Sequence, residues 1–380
     1  MAVALVPGTR AQQPAPTVQV SPVAPQIPQP NFHSAEDTWK TGVKPEDIKA
    51  GVIPDLRRLR DQLVVIPVQG NIWLIGGAGG NIAVQVSDQG ILLVDAGAEA
   101  AADKVIAVLQ QWKPRMLRWI IDTSVDIDHT GGNEKIAKSI TPAQAANNNA
   151  GPGGVAVGAP GGAAGGFNGA GAGIISFENV LNRMSAPTGQ SASRPTDAWP
   201  TDTFFTVRKN MWYGGEPIEL HHVAAAHTDG DIMVFFRKSD VLVTGPILPG
   251  DSFPMIDAEK GGSITGVLAG LNQVVGTAVP EYNQQGGTRI VTGNGRIYNQ
   301  TDAVEYRDTV TIVRDRIAAM VKKGATLDQV KAAHVTLEYD AQYGKLPSWT
   351  SDMFITEVFN ELSKAAAPAG AKKPAAAKKS

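Results

Sequence analysis

The chain has no cysteine, which excludes disulfides and thiolate metal sites and is compatible with any redox compartment. It has no run of about 18 apolar residues, so no transmembrane helix is expected. Neither sign of charge is in excess: 34 basic against 36 acidic residues leave a formal net charge of −2. Nucleic acid is therefore not expected as a partner, because binding it calls for a clustered basic face. Histidine is scarce, with six in 380 residues. Two of the six, His33 and His334, lie outside every motif described below.

What is present is enough chain for one large or two ordinary domains, with a sizeable core. Both ends differ in composition from the middle. Met1 to Gln13 is similar to the back half of a secretory signal, with a short apolar run and a small-residue exit, but it lacks a positive n-region. A periplasmic or secreted protein is one reading, and a cytoplasmic protein with a disordered start is the other. Residues 14–33 are rich in Pro, Gln and Val without a period and read as an extended linker. The Lys/Ala/Pro tail at 364–380 carries too few large apolar groups to pack. The expected organisation is a leader and linker over 1–34, a main domain over 35–300, C-terminal helices over 301–363, and the tail.

Within the main domain, Asn71 to Val86 reads as two short strands around a glycine turn. The glycines Gly76 to Gly80 are not a phosphate cradle, since that motif needs a helix behind it and here a strand follows. Ile91 to Val94 is an apolar strand ending in Asp95-Ala-Gly97. Glu99 to Trp112 has helical spacing and stops before Pro114. Leu117 to Ile121 reads as a buried strand, followed by a loop and a helix from about Glu134. A low-complexity Asn/Ala/Gly insertion occupies 147–173; it has little to bury and is expected as a loop at the mouth of the site or as a remote surface insertion. Strands at Ile232–Phe236, Val241–Val243 and Arg289–Val291 follow. Apolar residues at Val304, Val310, Ile312, Val313, Ile317, Met320 and Val321 predict a long amphipathic helix over 301–323. Further helices are expected from Thr326 and from about Ser351 to Leu362.

The loop Thr123-Ser-Val-Asp-Ile-Asp-His-Thr-Gly-Gly-Asn133 carries the chemistry. With Asp95-Ala-Gly97, Ala226-His-Thr-Asp-Gly-Asp231, Thr244-Gly-Pro246 and Thr292-Gly-Asn-Gly295, it resembles the ordered motif set of the metallo-β-lactamase superfamily over roughly residues 70 to 310. That resemblance implies a four-layer αββα sandwich, here with a C-terminal helical extension. It also implies a metal-dependent hydrolase acting on an ester, thioester, lactone or β-lactam. The superfamily loop usually reads His-x-His-x-Asp-His; this chain has Ser124 and Asp126 at its first two histidines and keeps Asp128 and His129. His227 matches. Pro246 replaces the usual bridging Asp, and Asn294 replaces the His of Gly-His-Gly. Phe177 stands where related exported proteins often have a His.

Zinc prefers imidazole and thiolate over carboxylate, and a catalytic site takes about three protein ligands plus water. One implied site holds Ser124, Asp126 and His227, and the other holds Asp128, His129 and Asn294. Asp126, Asp128, His129 and His227 are thus the metal-ligand candidates and Asp128 the catalytic candidate. Ser124, Pro246 and Asn294 are degenerate ligand positions, and Asp95 braces the loop. One zinc or other divalent ion, or none, is expected, in place of a two-metal hydrolytic centre. Two functions follow: a hydrolase-like protein with an at most mononuclear site and weak or absent activity, or a non-catalytic binding or structural member of the fold. A small-molecule ligand in the pocket is the expected partner, and self-association stays open.

Asp126 and Asp128 lie close enough in sequence to repel in a concave pocket unless a cation separates them. Either a metal ion or protonated histidines must provide it. His221 and His222 lie on an alternating strand and face opposite ways; they read as ordinary hydrogen-bonded strand histidines, with a substitute ligand on the pocket side as the alternative.

Overall fold

The computed structural model describes residues 63–112, 116–139, 171–185, 190–279 and 287–366. The leader and linker at 1–34, residues 147–170 of the insertion and the tail from residue 367 lie outside the described residues.

Among the described residues, thirteen strands form two sheets. The first runs, in chain order, through β1 (Val64–Gln69), β2 (Ile72–Ala78), β3 (Gly80–Ser87), β4 (Gly90–Val94), β5 (Leu117–Ile121), β6 (Gly173–Phe177) and β7 (Asp202–Phe204). The second comprises β8 (Arg208–Tyr213), β9 (Glu216–His222), β10 (Ile232–Phe236), β11 (Val241–Val243), β12 (Arg289–Val291) and β13 (Ile297–Tyr298), again with chain neighbours adjacent. β1 to β4 pair antiparallel through short turns, whereas β4 to β7 are parallel. Parallel neighbours need crossovers, and the link from β4 to β5 contains helix α1 (Ala102–Leu109).

The apolar runs are continuous because both faces of these strands are covered. Leu92 and Val94 of β4 face the second sheet, while Ile91 and Leu93 face a helical layer with Val105, Leu109 and Ile136. In β10, Ile232, Val234 and Phe236 face the first sheet, and Met233 and Phe235 face the opposite helices. Period-two alternation thus feeds two apolar layers from each strand. The expected αββα sandwich is the fold that forms.

The helices α2 (Ile127–Thr130), α3 (Asn133–Ser139), α4 (Glu178–Met184) and α5 (Ile264–Thr277) follow in chain order, and α2 and α4 border the cleft. The C-terminal region forms α6 (Gln300–Lys322), α7 (Leu327–Ala332), α8 (Leu337–Tyr343) and α9 (Ser351–Ala366). α6 starts at a capping box in which Asn299 and Asp302 satisfy each other's backbone N–H groups. Its buried stripe is Ala303, Tyr306, Val310, Val313 and Ile317. Val304 is only half-buried and Ile312 is exposed; Tyr306 takes the inward place because its hydroxyl reaches the Ser252 carbonyl at 2.7 Å. α8 was not foreseen from the apolar pattern, since only Tyr343 of its residues is buried.

The chain topology brings the motifs to one edge. The C-terminal ends of β4, β5, β11 and β12 and the turn between β9 and β10 share it, because β4/β5 and β11/β12 are parallel pairs and β10 is antiparallel to both its neighbours. Crevices at the carboxyl ends of strands are where such sheets bind ligands.

Candidate active site

β4 ends at Asp95, which adopts a left-handed φ of 67°. That turn aims its carboxylate at the loop after β5, where it accepts from Thr123 N (2.8 Å), from Thr123 Oγ1, and from His129 Nδ1 (2.8 Å). Asp95 therefore braces the loop. Instead of remaining a loop, residues 127–130 wind into the single turn α2, with Asp126 extended at its N-cap (ψ 154°). This places Asp126 and Asp128 on the cleft wall and directs His129 inward.

Two acid–base assemblies result. In the first, His129 is buried, bound to Asp95 through Nδ1, with Nε2 at 3.8 Å from Asp128 Oδ2. In the second, His227 Nε2 is in short contact with Asp126 Oδ2, and His227 Nδ1 lies 3.0 Å from the Met255 carbonyl. A carbonyl and a carboxylate can only accept, so both bonds are made only when both ring nitrogens carry hydrogen. Lys260 Nζ sits 3.1 Å from the other oxygen of Asp126 and 2.7 Å from Asp257.

Charge follows from these contacts. Burial pushes His129 down, but the Asp95 and Asp128 carboxylates outweigh it and raise the ring to about 10. Burial likewise opposes charge on His227, and the Asp126 bond with the charge of Asp231 lifts it to about 9. Burial would raise Asp126, yet His227 and Lys260 hold it well below the usual carboxylate range. The cation required between the paired aspartates is therefore supplied by side chains, one of which, Lys260, the sequence did not mark.

The degenerate positions have taken up structural work. Ser124 is fully buried and donates to Asp231 Oδ1 at 3.1 Å. Asp231 also accepts from Thr228 N and Oγ1, both at 2.7 Å. Pro246 lies in a one-turn 3₁₀ helix, Gly245–Ile247. Gly245 there has φ 51°, and a Cβ on it would sit 2.2 Å from Thr123 Oγ1, so only glycine fits. Asn294 lines the cleft, with its backbone tied to Pro249 O.

Neither strand histidine is a substitute ligand. His221 bonds Glu219 at 3.0 Å and faces Gln273 of α5. His222 stacks on Phe177 with ring centroids 3.6 Å apart and bonds the Asp229 carbonyl. Asp229 itself receives both arms of Arg183.

The cleft encloses about 1220 Å³. Asp126, Asp128 and Lys260 contribute one part of its wall, Asn182, Arg183 and Arg194 another, and Asn81 and Asn294 a third. Leu346 and Ser348, in the segment between α8 and α9, also line it. No local pattern around Leu346 signals this; it follows from the docking of α8, whose Tyr343 carbonyl accepts from Phe253 N.

Over residues 65–311 the sequence matches the family described as the metallo-beta-lactamase superfamily. The chain belongs to that superfamily. Among solved structures it is similar to the stereoselective inverting sec-alkylsulfatase Pisa1 from Pseudomonas sp., with 12% identity, a TM-score of 0.58, and coverage of 80% of this chain and 51% of that one. The chain thus spans about half the length of that enzyme. A metallo-beta-lactamase from Pontibacter korlensis matches with 12% identity and a TM-score of 0.45, covering 66% of this chain and 99% of that one. The likeness to Pisa1 speaks for the fold alone. No curated protein sequence matches. No helix among the described residues is long and apolar enough to cross a membrane.

Superfamily members typically hold zinc or another divalent ion, and the donor set here can be tested for that. Among the described residues no three histidine or carboxylate side chains converge as metal ligands would. His227 has both ring nitrogens engaged, Ser124 is bonded to Asp231, and Pro246 has no side-chain donor. A two-metal centre does not fit these residues.

Proposed function

We propose that this chain keeps the superfamily cleft to bind a small molecule, has lost two-metal hydrolysis, and holds at most one divalent ion. The observation that carries the reading is His227, whose ring faces a carboxylate on one side and a backbone carbonyl on the other. A metal ion at Nε2 would have to displace the hydrogen that this ring nitrogen places on Asp126, whereas the carboxylate nearest His129 Nε2 stands beyond hydrogen-bond reach at 3.8 Å.

The reading with one ion is favoured by the other assembly. Asp128 is 40% exposed in the cleft, and its Oδ2 stands 3.8 Å from His129 Nε2. That is too long for a hydrogen bond and close to the ~3.4 Å separating two tetrahedral ligands at bond lengths of roughly 2.1 Å. Two donors make a weak site, so any ester, thioester, lactone or β-lactam hydrolysis is expected to be weak or absent.

Zinc content measured after zinc loading and dialysis against dilute chelator tests this, together with turnover of those four substrate classes. The expected result is less than one zinc per chain and no turnover that rises with added zinc. Two retained zinc ions with zinc-dependent turnover would overturn the proposal.

A further inference from the structure

Lys260 is delivered to the site by a turn fastened to the backbone around His227. Asp257 N donates to the His227 carbonyl at 3.0 Å, and the Asp257 side chain caps the one-turn helix Ala258–Lys260 by accepting from Lys260 N at 2.9 Å. Gly262 N closes the turn on Asp257 O at 2.8 Å. The approach is close enough that a Cβ on Gly262 would lie 2.1 Å from the His227 carbonyl oxygen. From the other side the Lys260 carbonyl accepts from Asp229 N (3.0 Å) and from Arg183 Nη2 (2.9 Å). Both the start and the end of the turn are therefore pinned, and the ammonium is clamped between Asp126 Oδ1 and Asp257 Oδ2. A surface lysine that wandered onto a carboxylate would not need this framework.

Building on the loss of the two-metal centre proposed above, we infer that Lys260 is a resident cation that takes the place of a divalent ion on Asp126 and closes the Asp126–His227 half of the site to metal. A divalent ion on either oxygen of Asp126 would lie within a few ångströms of an ammonium already 3.1 Å from Oδ1. Like charges at that range repel strongly in a partly desolvated wall. The same lysine offsets the charge of Asp126 without any ion. Among the described residues the Asp128–His129 half has no such lysine in its ion pairs, and it is the half left open to a single ion.

The test is a zinc titration of chelator-stripped full-length protein by calorimetry, repeated with cobalt(II), whose visible bands report imidazole ligation. Lys260→Met keeps the side-chain volume and removes the charge; because this side chain is 37% exposed, the fold tolerates the change. The expected result is one additional metal equivalent in Lys260→Met, bound at least about tenfold more tightly than at the same half-site of the unaltered protein. That gain disappears in Lys260→Met combined with His227→Ala, and Lys260→Arg behaves as the parent protein. His227→Ala alone leaves metal binding unchanged. The inference is overturned if folded Lys260→Met titrates like the parent, or if His227→Ala alone removes a metal equivalent. Two zinc ions in the parent sink the proposed function as well, whereas an unchanged Lys260→Met with a zinc-poor parent sinks only the role of Lys260.

Discussion

Replacing His227 by Gln should make the protein lose stability in a pH-dependent way. The wild-type ring is lifted from 6.5 to about 9, because the Asp126 bond and the charge of Asp231 outweigh burial. A group raised in the folded state stabilises fully below its unfolded value, and that contribution drains away as pH climbs through its folded value. The interval of about 2.5 corresponds to about 3 kcal/mol at 1.36 kcal/mol for each. Glutamine retains a donor for Asp126 but has no proton to exchange. The stability gap between the two proteins should therefore be widest near pH 6, shrink through pH 7 to 9, and have fallen by about 3 kcal/mol at pH 10.

Other titrating groups do not obscure the comparison. Asp126, Asp231, Asp257 and Lys260 face His227 in both proteins, and His129, itself raised to about 10, contributes equally to both. Chemical denaturation of wild type and variant at four or more pH values, with chelator present, gives the gap directly. A gap that stays level within about 1 kcal/mol across that range would show His227 to be neutral in the folded protein, and the account of the second assembly would fall. A gap that widens with pH would contradict its sign.

Asp95→Asn removes the carboxylate on His129 Nδ1 while suiting the left-handed backbone there, since asparagine tolerates positive φ. It should cost about 2 kcal/mol or more at neutral pH, as expected for a charge-assisted bond between buried groups, and His129 should titrate lower by NMR. On α6, Ile317→Ala should cost about 3 kcal/mol and Ile312→Ala less than about 1 kcal/mol, because Ile317 is fully buried and Ile312 is 40% exposed. Equal losses measured by denaturation would mean that the buried face of α6 is misassigned.

Much of the sandwich was legible because its strands advertise themselves. Leu117–Ile121 and Ile232–Phe236 are apolar on both faces and form the strands read from sequence. The motif loops were legible too, since each sits directly after or before such a strand. The single turn α2 and the helix α8 were not, because neither buries enough apolar surface to leave a periodic mark. Lys260 was invisible for a different reason. It is 134 residues from Asp126 in sequence, and nothing in Ile256-Asp-Ala-Glu-Lys-Gly-Gly262 distinguishes it from an exposed turn. Only the register between β9, β10 and the loop after β5 brings it to the site.

The lost ligands and the gained contacts can be read as one change. Four carboxylates, Asp95, Asp126, Asp128 and Asp257, meet three basic groups, His129, His227 and Lys260, so side-chain cations offset most of the charge on this edge. In a pocket with metal, the ions would neutralise the same aspartates, and removing them would leave buried carboxylates to repel. Here Ser124 at the first position satisfies Asp231, and Asp126 at the second gives His227 an acceptor that holds its second proton. Ser124 and Asp126 thus each make an internal bond at a position where the superfamily usually has a ligand histidine. Under the proposed reading, the motif order survives around a centre whose ligand set differs from the superfamily's.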